Sequence, residues 1–190
     1  MNIFITPLFK EYDYLEQEYN GGVSICYASM MGNGIILEDK NGKIKELQSI
    51  AKEYIKKPFM KVDEYKIKTD LYHVWDQYDE LKSMHSQDLN INMMYYQLLK
   101  ALIELYYYYN GYAIIPISKL EQIYKNENYR NNYCLKNMPN NDFITLVIMC
   151  IDEKNDDDKI KQIDKLYKYV VNSCGGFNIE QFKIGNEIKK

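Results

Sequence analysis

Arginine is almost missing from this sequence: of 24 cationic side chains only Arg130 is arginine, and the rest are lysine. Histidine occurs twice, as His73 and His85, and tryptophan once, as Trp75. Four prolines and nine glycines in 190 residues exclude collagen-like and linker-rich chains. A formal net charge of −3 lacks the clustered cationic charge of a dedicated nucleic-acid backbone binder, so nucleic acid is not an expected partner. The four cysteines, Cys26, Cys134, Cys150 and Cys174, form no CxxC pair and have no histidine at metal-ligand spacing. Free buried thiols of a reducing compartment are expected, without a metal. The N-terminal residues have no basic region followed by a long apolar core, so no signal peptide is expected. The most apolar long stretch, residues 91–109, still carries Gln97, Lys100 and Glu104. It reads as a core helix rather than a membrane span, and a cytoplasmic protein without a membrane partner is expected.

Tyrosine is abundant, with 20 residues. Hydrophobic residues make up 46% and charged residues 27%, a balance that fits one soluble globular domain. Along the chain, residues 3–8 (IFITPL) read as a short strand and residues 34–38 (GIILE) as a second, with an apolar helix over 23–31 between them. Gly32-Asn33-Gly34 lacks the GxxxxGK[ST] pattern and is a turn, as is Asn41-Gly42. Ile44, Leu47, Ile50, Ala51, Tyr54 and Ile55 recur at helical spacing. From Asp63 onward, Ile67, Leu71, Val74, Trp75, Tyr78, Leu81 and His85 form a second apolar stripe. Residues 90–109 form a helix that is apolar nearly all round, stopped by Asn110-Gly111. Shorter helices are expected over 118–124 and 142–152, a loop with at most a helical turn over 126–141, and a last helix over 159–174 capped by Gly175-Gly176. The fold class predicted is mainly α (α+β), a helical bundle with a small N-terminal β element. Residues 1–60 hold the β/α element and 61–190 the bundle.

Asp156-Asp157-Asp158 would suit a divalent metal in isolation, but acids at a helix start are favoured by the helix dipole, so capping is the expected role. His85 lies on an apolar stripe with no GxSxG or HExxH motif beside it, so a packed or interfacial histidine is expected; His73 should face solvent. Tyr95, Tyr96 and 106–109 crowd one helix, with Lys100 and Glu104 sharing a face with Tyr96, Tyr107 and Tyr108. This arrangement is either a binding wall or a core filled with tyrosine, and helical spacing favours the core.

Several segments taken in order resemble the later part of nucleotidyltransferase-fold proteins of the aminoglycoside-nucleotidyltransferase kind. They are IFITPL, GGVSICYASMMGNGIILEDKNGKIKELQSIAKEY, YHVWDQYDEL, NMMYYQLLKALIELYYYYNGYAIIPISKL and YVVNSCGGFNIEQF. GIILEDKNGKI matches the family's glycine–hydrophobic strand and turn, and Asn110-Gly111, Pro116 and Lys119 resemble its helical-domain segment. The family's Gly-Ser turn and its Asp-x-Asp pair, which holds two Mg²⁺ ions, have no counterpart here. The only Asp-x-Asp is Asp156–Asp158, and Asn2 stands where the resemblance would place a third acid.

The resemblance implies a truncated or degenerate nucleotidyltransferase-like protein, non-catalytic alone, whose helical part binds a nucleotide or small polar substrate. Tyr95, Tyr96, Lys100, Tyr107 and Lys119 are the contacts it suggests, lysines meeting phosphate and tyrosines stacking. No catalytic residue and no metal ligand are assigned. Mg and nucleoside triphosphate would bind only if a catalytic half completed the site. The alternative expectation is an interaction module that forms a homodimer, or docks on a catalytic partner subunit, through the edge of its N-terminal strand.

Overall fold

The computed structural model describes residues 26–56, 63–112, 117–132 and 139–183. The expected strand over residues 3–8 lies outside them. In chain order the helices are α1 (Cys26–Gly32), α2 (Lys43–Lys56), α3 (Glu64–Ser86), α4 (Asn92–Asn110), α5 (Ile117–Lys125), α6 (Glu127–Asn132), α7 (Asn141–Asp152) and α8 (Asp156–Ser173), followed by a 3-10 turn over Ile179–Gln181. The protein is mainly helical, and the described residues contain no strand.

Helix starts follow the side chains that precede them. The Asp63 carboxylate accepts from Tyr65 N–H at α3 (3.2 Å), Asn140 Oδ1 from Phe143 N–H at α7 (2.9 Å), and Asn155 Oδ1 from Asp158 N–H at α8 (3.2 Å). Each satisfies an amide that has no partner inside its own helix. Gly111, in the left-handed region at φ 68°, ends α4, as the Asn-Gly pair predicts.

Five contacts fix the directions of the bundle helices. Lys66, early in α3, lies 4.5 Å over the ring of Tyr108, late in α4, so those helices run antiparallel. His85 at the end of α3 meets Asp157 at the start of α8, and Lys159 of α8 meets Asn92 at the start of α4. Hence α8 runs antiparallel to α3 and parallel to α4. Tyr95 reaches Cys150 while Tyr106 stacks on Phe143, so α7 runs against α4. The apolar stripe read on α3 is the buried one, with Leu71, Val74 and Leu81 inside the core and Ile67 and Tyr78 packed against it. With α4, α5, α7 and α8 it forms one continuous core, where each fully buried aliphatic side chain contributes about 1.5–3 kcal/mol.

A second, smaller cluster joins α1 to α2: Ala28, Leu47, Ala51 and Ile55 are buried, with Met31, Ile50 and Tyr54 packed around them. Here the structure corrects the expected strand at residues 34–38, which are an irregular connection with Ile35 and Leu37 exposed. A strand is made by ladder bonds to a neighbour. This segment makes local bonds instead: Gly34 N–H donates to Met31 O (3.3 Å), and the Gln48 amide donates to Gly34 O (2.7 Å). The Asn-rich stretch carries the expected helical turn as α6, whose start is tied by Asn126 Oδ1 accepting from Tyr129 N–H at 3.0 Å.

Candidate functional site

The tyrosines of α4 divide sharply between inside and outside. Tyr95 is fully buried, and its hydroxyl donates to Cys150 O (2.7 Å), a carbonyl in the last turn of α7 that has no partner within its helix. Tyr107 is buried as well, its hydroxyl 2.6 Å from that of Tyr124 on α5. Tyr106 stacks on Phe143 with ring centroids 3.9 Å apart. Burial pushes the ionisation of all these phenols well above the ordinary tyrosine range, so they stay neutral and bridge helices. Tyr96 is half exposed, its ring set edge-on against Tyr95.

Of the expected contacts, Tyr95 and Tyr107 therefore belong to the core, while Tyr96 and Lys100 lie on the outer face of α4. Lys100 is ion-paired with Glu104 at 3.7 Å. Lys119 stands partly exposed on α5, a different helix. Tyr107 sits one turn from the end of α4, where its hydroxyl is enclosed against α5, in line with the core reading of that face.

A polar junction gathers at the start of α8. The three aspartates each have their own partner: Asp156 binds Lys159 (2.9 Å), Asp157 meets His85 Nε2 (2.9 Å) and Asp158 binds Lys161 (2.7 Å). They stand in the first turn of the helix behind the Asn155 cap, as expected of capping acids. Lys159 is the one buried charged residue among those described, and its ammonium also donates to Asn92 Oδ1 (2.6 Å) and lies 5.8 Å from the Tyr95 ring. Sequence reasoning missed this lysine. The signal was present: Lys159, Ile163, Leu166 and Val170 recur at four-, three- and four-residue steps, which places Lys159 on the buried stripe. His85 is interfacial, as expected, and His73 is exposed.

No protein-family model, curated protein or solved structure matches this chain.

Among the described residues, no group of three His, Cys, Asp or Glu side chains is placed to hold a metal ion, and no helix is long and apolar enough to cross a membrane. Cys150 and Cys174 are free and buried, and burial pushes both thiols up to about 12.

The outward-facing feature that does stand apart is the α1–α2 connection. Ile35 is 87% exposed and Leu37 71%. Their loop is fixed on both sides: Gln48 holds Gly34 O, and the Asp39 carboxylate accepts from Ile44 N–H (3.3 Å) and Lys45 N–H (3.1 Å), the free amides at the start of α2. Met30 and Ile44, on the two helices flanking the loop, are also exposed. A short loop pinned at both ends thus presents two branched aliphatic side chains to water.

Proposed function

We propose that this chain is a protein-interaction module that pairs with a second copy of itself through the 33–42 loop and does not catalyse a reaction alone. The observation that carries this reading is the exposure of Ile35 and Leu37 on a loop held by Gln48 and Asp39. Apolar side chains scattered singly on a surface need no explanation, but two on one pinned loop form a preorganised contact with little ordering cost on binding. A second copy offers the same apolar pair, so the contact can be two-fold symmetric. Two side chains cover far less than the roughly 1,200 Å² of a stable interface, so the pairing is weak and concentration-dependent. The flanking Lys40 and Glu38 pair with one another at 3.2 Å, and the Asp39 carboxylate is turned to the amides that start α2. The resemblance to nucleotidyltransferase-fold proteins supports placing the module beside a catalytic half, which would supply Mg and nucleotide chemistry. Sedimentation of the purified chain over a wide concentration range tests the pairing. The mass should rise toward the dimer, and a monomer throughout would sink the reading.

A second reading, nucleotide or polar-substrate binding, is favoured by one observation: Tyr96 and Lys100 lie side by side, four residues apart, on the exposed face of α4. A ring that can stack and an ammonium that can meet phosphate are the two groups such a ligand needs. Calorimetric titration with Mg·ATP checks it, with heat abolished in Lys100→Ala as the supporting result and no heat at millimolar nucleotide as the opposing one.

A further inference from the structure

Beyond α8 the chain turns back on itself and lies against α3. Gly175 (φ 96°) and Gly176 (φ 84°) make the turn, and a Cβ at either would meet nothing within 4 Å, so glycine is required there by backbone conformation and not by crowding. Four rings then meet. Phe182 stacks on Tyr72 with centroids 5.0 Å apart and planes 3° from parallel. Phe177 lies 6.1 Å from Trp75 and 5.3 Å from Phe182, and Tyr72 lies 6.0 Å from Trp75, three residues along the same face of α3.

The backbone of this segment contributes nothing to its attachment. Its hydrogen bonds among the described residues are internal: Glu180 N–H to Asn178 Oδ1 (2.9 Å), Gln181 N–H to Asn178 O (3.2 Å) and Phe182 N–H to Ile179 O (3.1 Å). Ile179, Glu180 and Gln181 are exposed, and only the two phenylalanines are half-buried. The bonds that close the helix end at the glycine pair, since Cys174 N–H bonds Val170 O (3.0 Å) and Gly176 N–H bonds Val171 O (2.8 Å), and residues beyond Gly176 take no part in them.

We propose that residues 177–183 are a strap that closes over an aromatic face of α3 formed by Tyr72 and Trp75, and that opens from that face without unfolding the bundle. A glycine pair serves as the hinge, two rings hold the strap down, and no ladder or helix bond is broken when it lifts. Segments tied by few buried contacts open at a lower free energy than the core they cover. The occupant of the Tyr72–Trp75 face is thus a segment of the chain itself.

Trp75 is the only tryptophan, so its emission reports the strap directly. In the full chain, Phe182→Ala should raise acrylamide quenching of Trp75 about two-fold by favouring the open strap, while helical circular dichroism and its thermal midpoint stay near those of the native chain. In native protein, quenching should rise at denaturant concentrations below those that melt the helices. Unchanged quenching in Phe182→Ala would overturn the proposal. So would a single coincident transition of quenching and helix content, because the strap would then belong to the cooperative core.

Discussion

Lys159 shows how one residue can be legible in its spacing and still be misread by its type. Lysine is almost never fully buried unless paired, and here an aspartate one helical turn before it and Asn92 on α4 supply the pairing. Removing the ammonium while keeping the stem, as in Lys159→Met, leaves Asp156 half exposed and able to take up water, whereas Asp156→Ala strands a buried charge. The second variant should therefore be the less stable of the two in urea unfolding, by about 1–3 kcal/mol. Tyr95 makes the same point for the aromatic residues. Its hydroxyl satisfies the Cys150 carbonyl, so Tyr95→Phe should lower stability by about 1 kcal/mol while leaving the core filled, again read from urea unfolding. The buried thiols are the third case at this scale. With Cys150 and Cys174 pushed up to about 12, the reactive thiolate is scarce at neutral pH, and both should resist alkylation in the folded chain and react once it is denatured. Mass mapping of the alkylated peptides distinguishes the outcomes, and fast labelling of either cysteine in native protein would contradict the burial described.

At the scale of elements, helices were legible and the short irregular pieces were not. The stripes of α2 and α3, the all-round apolarity of α4 and the glycine stops could be read because periodicity and capping are local properties. The connection at residues 34–38 differs from the expected strand because GIILE has the composition of a strand, while its conformation is tied to a distant partner, Gln48, that only the folded hairpin brings close. On α8 the buried side chains are Lys159, Ile163, Leu166, Val170 and Val171, with Ile160 and Tyr167 half-buried beside them. The α3–α8 contact is also where acid acts. Burial alone would raise the Asp164 carboxyl, but hydrogen bonds from Lys168 and from the Tyr78 hydroxyl outweigh it and hold the group below the ordinary carboxylate range. A depressed folded value means that stability is gained above the unfolded value and lost as pH falls through the folded one. Asp164 thus contributes fully above about pH 5 and loses its contribution as the pH falls below about 4. Melting midpoints followed from neutral pH into acid should show a smaller decline in Asp164→Asn than in the native chain, and identical declines would count against this contact.

For the molecule as a whole, what the sequence could supply was a class of fold and a list of side chains, and what it could not supply was which of those side chains the fold consumes. Tyr95, Tyr96 and Tyr107 look alike along α4, yet two are buried in helix contacts and one faces water. The deciding factor is tertiary, since α7 closes over the start of α4 and α5 over its end. With half of the aromatic wall consumed by the core, the strongest outward feature becomes the α1–α2 loop, a place where the sequence pattern pointed only to a strand. Both surfaces that remain open, the loop and the outer face of α4, can be changed without disturbing the core, because exposed substitutions usually alter stability by no more than about 0.5 kcal/mol. The most direct measurement is sedimentation velocity on three chains at matched high concentration: native, Ile35→Asp/Leu37→Asp, and Met93→Asp/Tyr96→Asp as a control on the α4 face. The account predicts dimer in the native and control chains and monomer in the loop variant. Dimer persisting in the loop variant, or no dimer in the native chain, would contradict it.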